Sequence, residues 1–162
     1  MIEVNDNDTD GASGHVHDHV VVRTLREDDL AALVDMDATI MRRRRQEYFR
    51  DKVTSALRDS RIHLSLVAEV DGKVAGFLMA KVHYGEFGRP EPTAVIDSIG
   101  VHAELHGRHV GGKLMEEFIR HARLLDIEKI RTEVAWDDTA LLGFLAHFGY
   151  GPSGRLVLEK AL

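Results

Sequence analysis

Two stretches of this chain carry residues whose types and spacing could do chemistry. One is His106–Lys113, HGRHVGGK, with glycines at 107, 111 and 112, set between the apolar run AVIDSIGV (94–101) and the amphipathic run LMEEFIRHAR. A strand that feeds a glycine-bearing turn into a helix start leaves several backbone N–H groups unpaired at the positive end of the helix dipole. Such a turn suits a phosphate or diphosphate. Glycine lets the backbone approach the ligand with no Cβ in the way. The second is Asp97, the only ionisable residue in VIDSIGV, a strand otherwise fit for burial on both faces. An ionised carboxylate costs several kcal/mol to bury unpaired. Asp97 therefore either faces a wet cleft, where it can take a proton from a substrate, or meets a cation such as Arg131 on the neighbouring strand.

A phosphate turn has several owners. Gly107 to Lys113 fit the G-x-x-x-x-G-K of nucleotide triphosphatases, but Leu114 follows where that motif needs Ser or Thr to hold Mg²⁺. No later apolar strand ends in the required Asp; KIRTEVAWDD carries Glu133 within it. The dinucleotide fingerprint G-x-G-x-x-G does not occur.

The chain has 162 residues, 44% hydrophobic and 30% charged, which implies one soluble globular domain with a sizeable core. A net charge of −6 argues against nucleic acid as a partner. Cysteine is absent, which excludes disulfides, thiolate metal sites and a cysteinyl acyl-enzyme. No long apolar run and no signal peptide is present, so no membrane partner and a cytoplasmic location are expected.

Residues 1–19 are polar and lack periodicity, and read as a disordered tail before a domain spanning 20–162. His15, His17 and His19 alternate there, too short a tract to fix a metal alone; no metal site is predicted. From Val20 the pattern is α/β. VVVRTL predicts a strand; Arg26–Asp29 cap a helix to about Ala38. Residues 41–60 predict a second helix, with Met41, Tyr48, Ala56 and Leu57 near one stripe. RIHLSLVAEV and KVAGFLMAKVHY predict two strands joined by an Asp71-Gly72 hairpin turn. A loop, a strand over Thr93–Val101, a helix from about Arg108 to Leu125, a strand KIRTEVA, a helix DTALLGFLAHF and a terminal strand RLVLEKAL follow. This order predicts a mixed sheet with helices on both faces.

On three segments, VAEVDGKVAGF, IDSIGVHAELHGRHVGGKLME and DDTALLGFLAHFGY, the chain resembles the GNAT superfamily of N-acetyltransferases from about Val20 to Leu162. The resemblance implies a mostly antiparallel sheet of six to seven strands, splayed between the fourth and fifth, with about four helices. It also implies acetyl-CoA as acyl donor, an amine acceptor that is a small molecule or a protein amine, and room for a homodimer. The family's diphosphate turn carries Arg or Gln, two spacers, Gly, one spacer, then Gly or Ala. Those positions are His106, Gly107, Arg108, His109, Val110 and Gly111 here, with Gly112 and Lys113 completing the turn. Two imidazoles at a phosphate site would raise affinity at lower pH. The backbone of Ile99, Gly100 and Val101 matches the place where the pantetheine arm pairs, and a freed N–H there would polarise the thioester carbonyl, worth ~3–4 kcal/mol. Asp138 stands where a cofactor-contacting Asn is common. Leu145 stands where the family often has a Tyr that protonates the leaving thiolate.

An alkyl ammonium has a pKa of about 10.4 and must lose a proton before it attacks. Asp97 is the first candidate base. Glu133 is second and equally fits a solvent-facing position. Tyr84, with His83 and Glu86, either lines the acceptor side or simply ends a strand; either Tyr84 or Tyr150 reaches the thiolate, or the thiolate departs protonated by water. Trp136 either walls the acceptor pocket or sits in the core. Arg42–Arg45 wrap around all sides of a helix and cannot form one patch. The rival from another class is an acyl-CoA-binding sensor or partner subunit that has lost catalysis.

Overall fold

A computed structural model describes residues 19–58, 64–85, 88 and 90–162. The tail before His19, with His15 and His17, lies outside the described residues, as do Glu86 and the expected strand start at 61–63.

Among the described residues five strands form one sheet in chain order: β1 (Val20–Thr24), β2 (Leu66–Val70), β3 (Lys73–His83), β4 (Thr93–Val101) and β5 (Lys129–Thr132). Neighbours pair antiparallel except β4 with β5, which run parallel. Asp71 and Gly72 join β2 to β3 with φ of 51° and 72°, the two left-handed residues that a two-residue hairpin turn requires. Among the described residues four α-helices accompany the sheet: α1 (Leu30–Met41), α2 (Gln46–Arg58), α3 (Val110–Leu124) and α4 (Thr139–His147).

Two apolar cores separate the layers. Leu33, Val34 and Met36 of α1, with Phe49 and Val53 of α2, pack on Val67, Phe77 and Met79 of the sheet. On the opposite face α3 buries Val110, Leu114, Met115, Phe118 and Ala122 against Leu66, Ala68, Leu78 and Ile96. The i, i+4, i+8 spacing of those α3 residues is one helical face, and each large side chain so buried contributes about 1.5–3 kcal/mol.

Three expectations are corrected. The helix expected from Met41 begins at Gln46, because α1 runs on to Met41 and Arg42 closes it in a left-handed conformation, φ 53°. The apolar stripe of α2 is accordingly Phe49 and Val53 with Ala56 and Leu57 beside them, while Met41 and Tyr48 are exposed. The strand expected over KIRTEVA ends at Thr132, which puts Glu133 past it. RLVLEKAL forms no strand, so among the described residues the sheet has five strands rather than six to seven. Strand propensity is realised only against a partner edge, and the GYGPSG segment releases the tail from the body without delivering it to one.

Candidate active site

The site begins where β4 and β5 part. Their parallel pairing runs from Thr93↔Lys129 to Ile96↔Thr132 and stops; the Thr132 hydroxyl donates to the Ile96 carbonyl, 3.0 Å, at the last rung. From Ser98 to Val101 β4 keeps its β3 partner alone. Asp97 is also the extra residue of a bulge: Ile96 faces Ala80 and Ser98 faces Met79, leaving Asp97 with no rung. A bulge re-aims a side chain, and here it aims an acid out of a strand whose neighbours Ala94 and Ile96 are buried.

Lys52 of α2 supplies a cation to Asp97, where the sequence pointed to Arg131. Lys52 Nζ lies 3.1 Å from Asp97 Oδ1 and donates to Ser98 Oγ at 2.7 Å. The same ammonium sits 4.6 Å from the centroid of Tyr48, and the Arg45 guanidinium lies 4.6 Å from that centroid too. Arg45 in turn grips buried Asp37 through Nε, 2.8 Å, tying the end of α1 to the start of α2. Tyr48 and Lys52 stand at i and i+4 on one face of α2, with Arg45 just before the helix, and that helical spacing is the signal by which Lys52 could have been found in the sequence.

At the other end of β4 the chain enters the glycine turn. His102 N–H donates to Ala75 O, 2.9 Å, extending the ladder by one bond; a short helical turn over Ala103–Leu105 follows. Leu105, His106 and Arg108 place their amides on carbonyls of the turn itself. The amides of Gly107, His109, Val110, Gly111 and Gly112 make no such bond among the described residues. Gly107 and His109 both have positive φ, 81° and 59°. His109 thus takes the left-handed conformation at the N-cap of α3, with no capping bond from its side chain. His106 folds back, its Nε2 3.1 Å from Val101 O, and His109 is exposed. Val110 is buried against the α3 core. Lys113 reaches Glu116, 2.9 Å, which raises its pKa, and Arg108 is exposed.

Close packing holds the middle of β4 in place. A Cβ on Gly100 would stand 2.8 Å from Phe77 Cε1, and one on Gly76 would stand 3.0 Å from Gly100 O. Ile99 and Val101 pack toward the α3 core.

The remaining candidates scatter. Asp138 caps α4 by accepting from Leu141 N–H, 3.0 Å, and is exposed. Glu133 is exposed beyond β5. Tyr84 follows β3 at the end where His83 faces Thr93, and is exposed; four residues of β4, ~13 Å, separate that rung from Asp97. Trp136 is 89% exposed, which rules out the core position for it. Leu145 is buried. The Tyr150 hydroxyl contacts Met115 Sδ at 3.5 Å, and burial pushes its pKa up to about 12.

The arrangement compares closely with solved structures. A transcriptional regulator from Bacillus halodurans C-125 superposes with a TM-score of 0.74 at 19% identity, over 89% of this chain and 100% of that one. The aminoglycoside N-acetyltransferase AAC(6')-Iy in complex with CoA gives 0.74 at 15%, over 88% and 95% of the two chains. Glucosamine-6-phosphate N-acetyltransferase from Arabidopsis thaliana gives 0.69 at 14%, over 88% and 98%. At these identities the likeness is one of fold. The sequence model of the Acetyltransferase (GNAT) family matches residues 24–150, from the end of β1 through Tyr150, and the chain belongs to that family of acetyltransferases.

Proposed function

We propose that this chain transfers an acetyl group from acetyl-CoA to a primary amine by direct attack in a ternary complex. The observation that carries the reading is the parting of β4 from β5 at Ile96, with the Asp97 bulge at one end of the opened segment and the five free amides just past the other. The amides receive the diphosphate, with Arg108 beside them. The unpaired side of β4 from Ile99 to Val101 receives the pantetheine arm, and an amide there stabilises the oxyanion as the carbonyl is attacked. Asp97 takes the ammonium proton, directly or through water. With no cysteine in the chain, the amine nitrogen attacks the thioester carbon itself. The C–S bond breaks and the thiolate leaves, a fair leaving group at a thiol pKa near 8.5. Similarity to the aminoglycoside N-acetyltransferase AAC(6')-Iy, whose structure with the bisubstrate analogue CoA-S-monomethyl-acetylneamine is known, supports an amine acceptor.

CoA release measured across aminoglycosides, amino sugars, polyamines and peptide N-termini tests the reading. Transfer to at least one amine, lost in Asp97→Asn while acetyl-CoA still binds, is the expected result. A second reading, acyl-CoA binding without catalysis, draws on the Lys52 ion pair to Asp97 and on buried Leu145 where a proton donor is common. Acetyl-CoA binding with no transfer to any amine would favour it.

A further inference from the structure

Lys52 is itself a primary amine, and it stands where an acceptor amine would have to stand. Its Nζ lies 3.1 Å from Asp97 Oδ1 and 2.7 Å from Ser98 Oγ, with the Tyr48 ring centroid at 4.6 Å. These contacts fix the nitrogen at one point while committing only two of its three N–H donors. Its side chain is 15% exposed. The other lysines, Lys73, Lys81, Lys113, Lys129 and Lys160, are all exposed. Ser98 also begins the segment of β4 that has no β5 partner. The direction of the cofactor along that segment rests on the function proposed above. The diphosphate binds past Val101, so an arm laid from Val101 to Ile99 brings its thioester end toward Ser98 and Asp97.

We propose that Lys52 Nζ accepts an acetyl group from the acetyl-CoA bound to its own chain. Asp97, already in contact, takes one ammonium proton. Rotation about Cε–Nζ turns the freed lone pair toward the thioester carbon; an N–C bond forms and the C–S bond breaks. The second proton lost by the nitrogen goes to the departing thiolate, giving free CoA, and Asp97 passes the first to water. The resulting amide is stable and neutral, so Asp97 loses the cation that holds it, and an acetyl group stands in the acceptor's place. Acetyl-CoA without an acceptor thus switches the chain down, and an acceptor amine protects Lys52 by taking the acetyl group first.

Purified chain incubated with acetyl-CoA and no amine, then digested and mapped by mass spectrometry, tests this. An acetyl group at Lys52 is expected ahead of any at the exposed lysines, gained at a rate per chain that does not change with protein concentration. In Asp97→Asn, and in the urea-unfolded chain, Lys52 should be modified no faster than Lys81. For any amine that the unmodified chain acetylates, the modified chain should release CoA about tenfold more slowly. Calorimetry separates two failures. Acetyl-CoA that binds while Lys52 stays unmodified overturns this site alone; acetyl-CoA that does not bind removes the proposed function with it. Modification that speeds up with protein concentration, or that proceeds equally in Asp97→Asn, also overturns the proposal.

Discussion

Lys52 of α2 and Asp97 of β4 form an ion pair of 3.1 Å across the face of the sheet, and the same ammonium donates to Ser98 Oγ. Asp97 has no rung in the ladder, so its carboxylate is aimed by the bulge and held by this cation. Lys52 is thus a positioning residue for the proposed base. Lys52→Met should lower kcat for acetyl transfer at least tenfold with acetyl-CoA affinity unchanged, and Lys52→Arg should recover part of it. Steady-state kinetics beside calorimetric binding of acetyl-CoA checks this.

The middle of β4 leaves no room for a side chain. In Gly100→Ala the new methyl meets the buried Phe77 ring at 2.8 Å, and that ring is wedged edge-on against Phe49, centroids 5.7 Å apart. Overpacking of this kind costs about 1–3 kcal/mol. A fall in the urea midpoint at constant m-value is the expected outcome.

His109 occupies a conformation that disfavours side chains, φ 59°, without a capping bond in return. His109→Gly should leave stability equal or raise it by up to about 1 kcal/mol. His109→Val should lose about 1–2 kcal/mol, since a β-branched side chain suits this region least. Thermal unfolding of the two variants, with acetyl-CoA binding retained in the glycine variant, tests the backbone account of the turn.

Asp29 is buried at the head of α1, held by two bonds from Arg23, 2.7 and 2.8 Å, and one from the Arg26 amide, 2.8 Å. Burial pushes its carboxyl up, but the Arg23 and Arg26 bonds together outweigh it and leave the pKa below its ordinary value. A depressed carboxylate stabilises the fold above its unfolded pKa, ~3.9, and that contribution is lost as pH falls through the lower folded value. Asp29→Asn should cost about 3 kcal/mol near neutrality. The gap from wild type should stay constant down to about pH 5 and close below about pH 4, as chemical denaturation over pH would show.

Local patterns made the hairpin, β4, α3 and α4 legible in the sequence, because Asp71-Gly72, the apolar run and the amphipathic stripes each act over a few residues. The glycine turn was legible for the same reason. Partners distant in the chain were not. Asp97 needed either a wet cleft or a cation, and the packing of α2 over the sheet, which no local pattern shows, is what brings Lys52 to it. RLVLEKAL reads as a strand by composition, but strand formation depends on an edge that no local pattern announces. Leu145 is a core residue of α4, and its burial follows from the packing of that helix on α3 rather than from any site motif.

The central claim is that free amides of the glycine turn receive the diphosphate of acetyl-CoA. Titrating acetyl-CoA into ¹⁵N-labelled protein reads those amides one by one. Saturable shifts should be largest at Gly107, His109, Gly111 and Gly112 and extend to Ile99–Val101. Binding that leaves those signals unmoved, or no binding at all, would contradict the account.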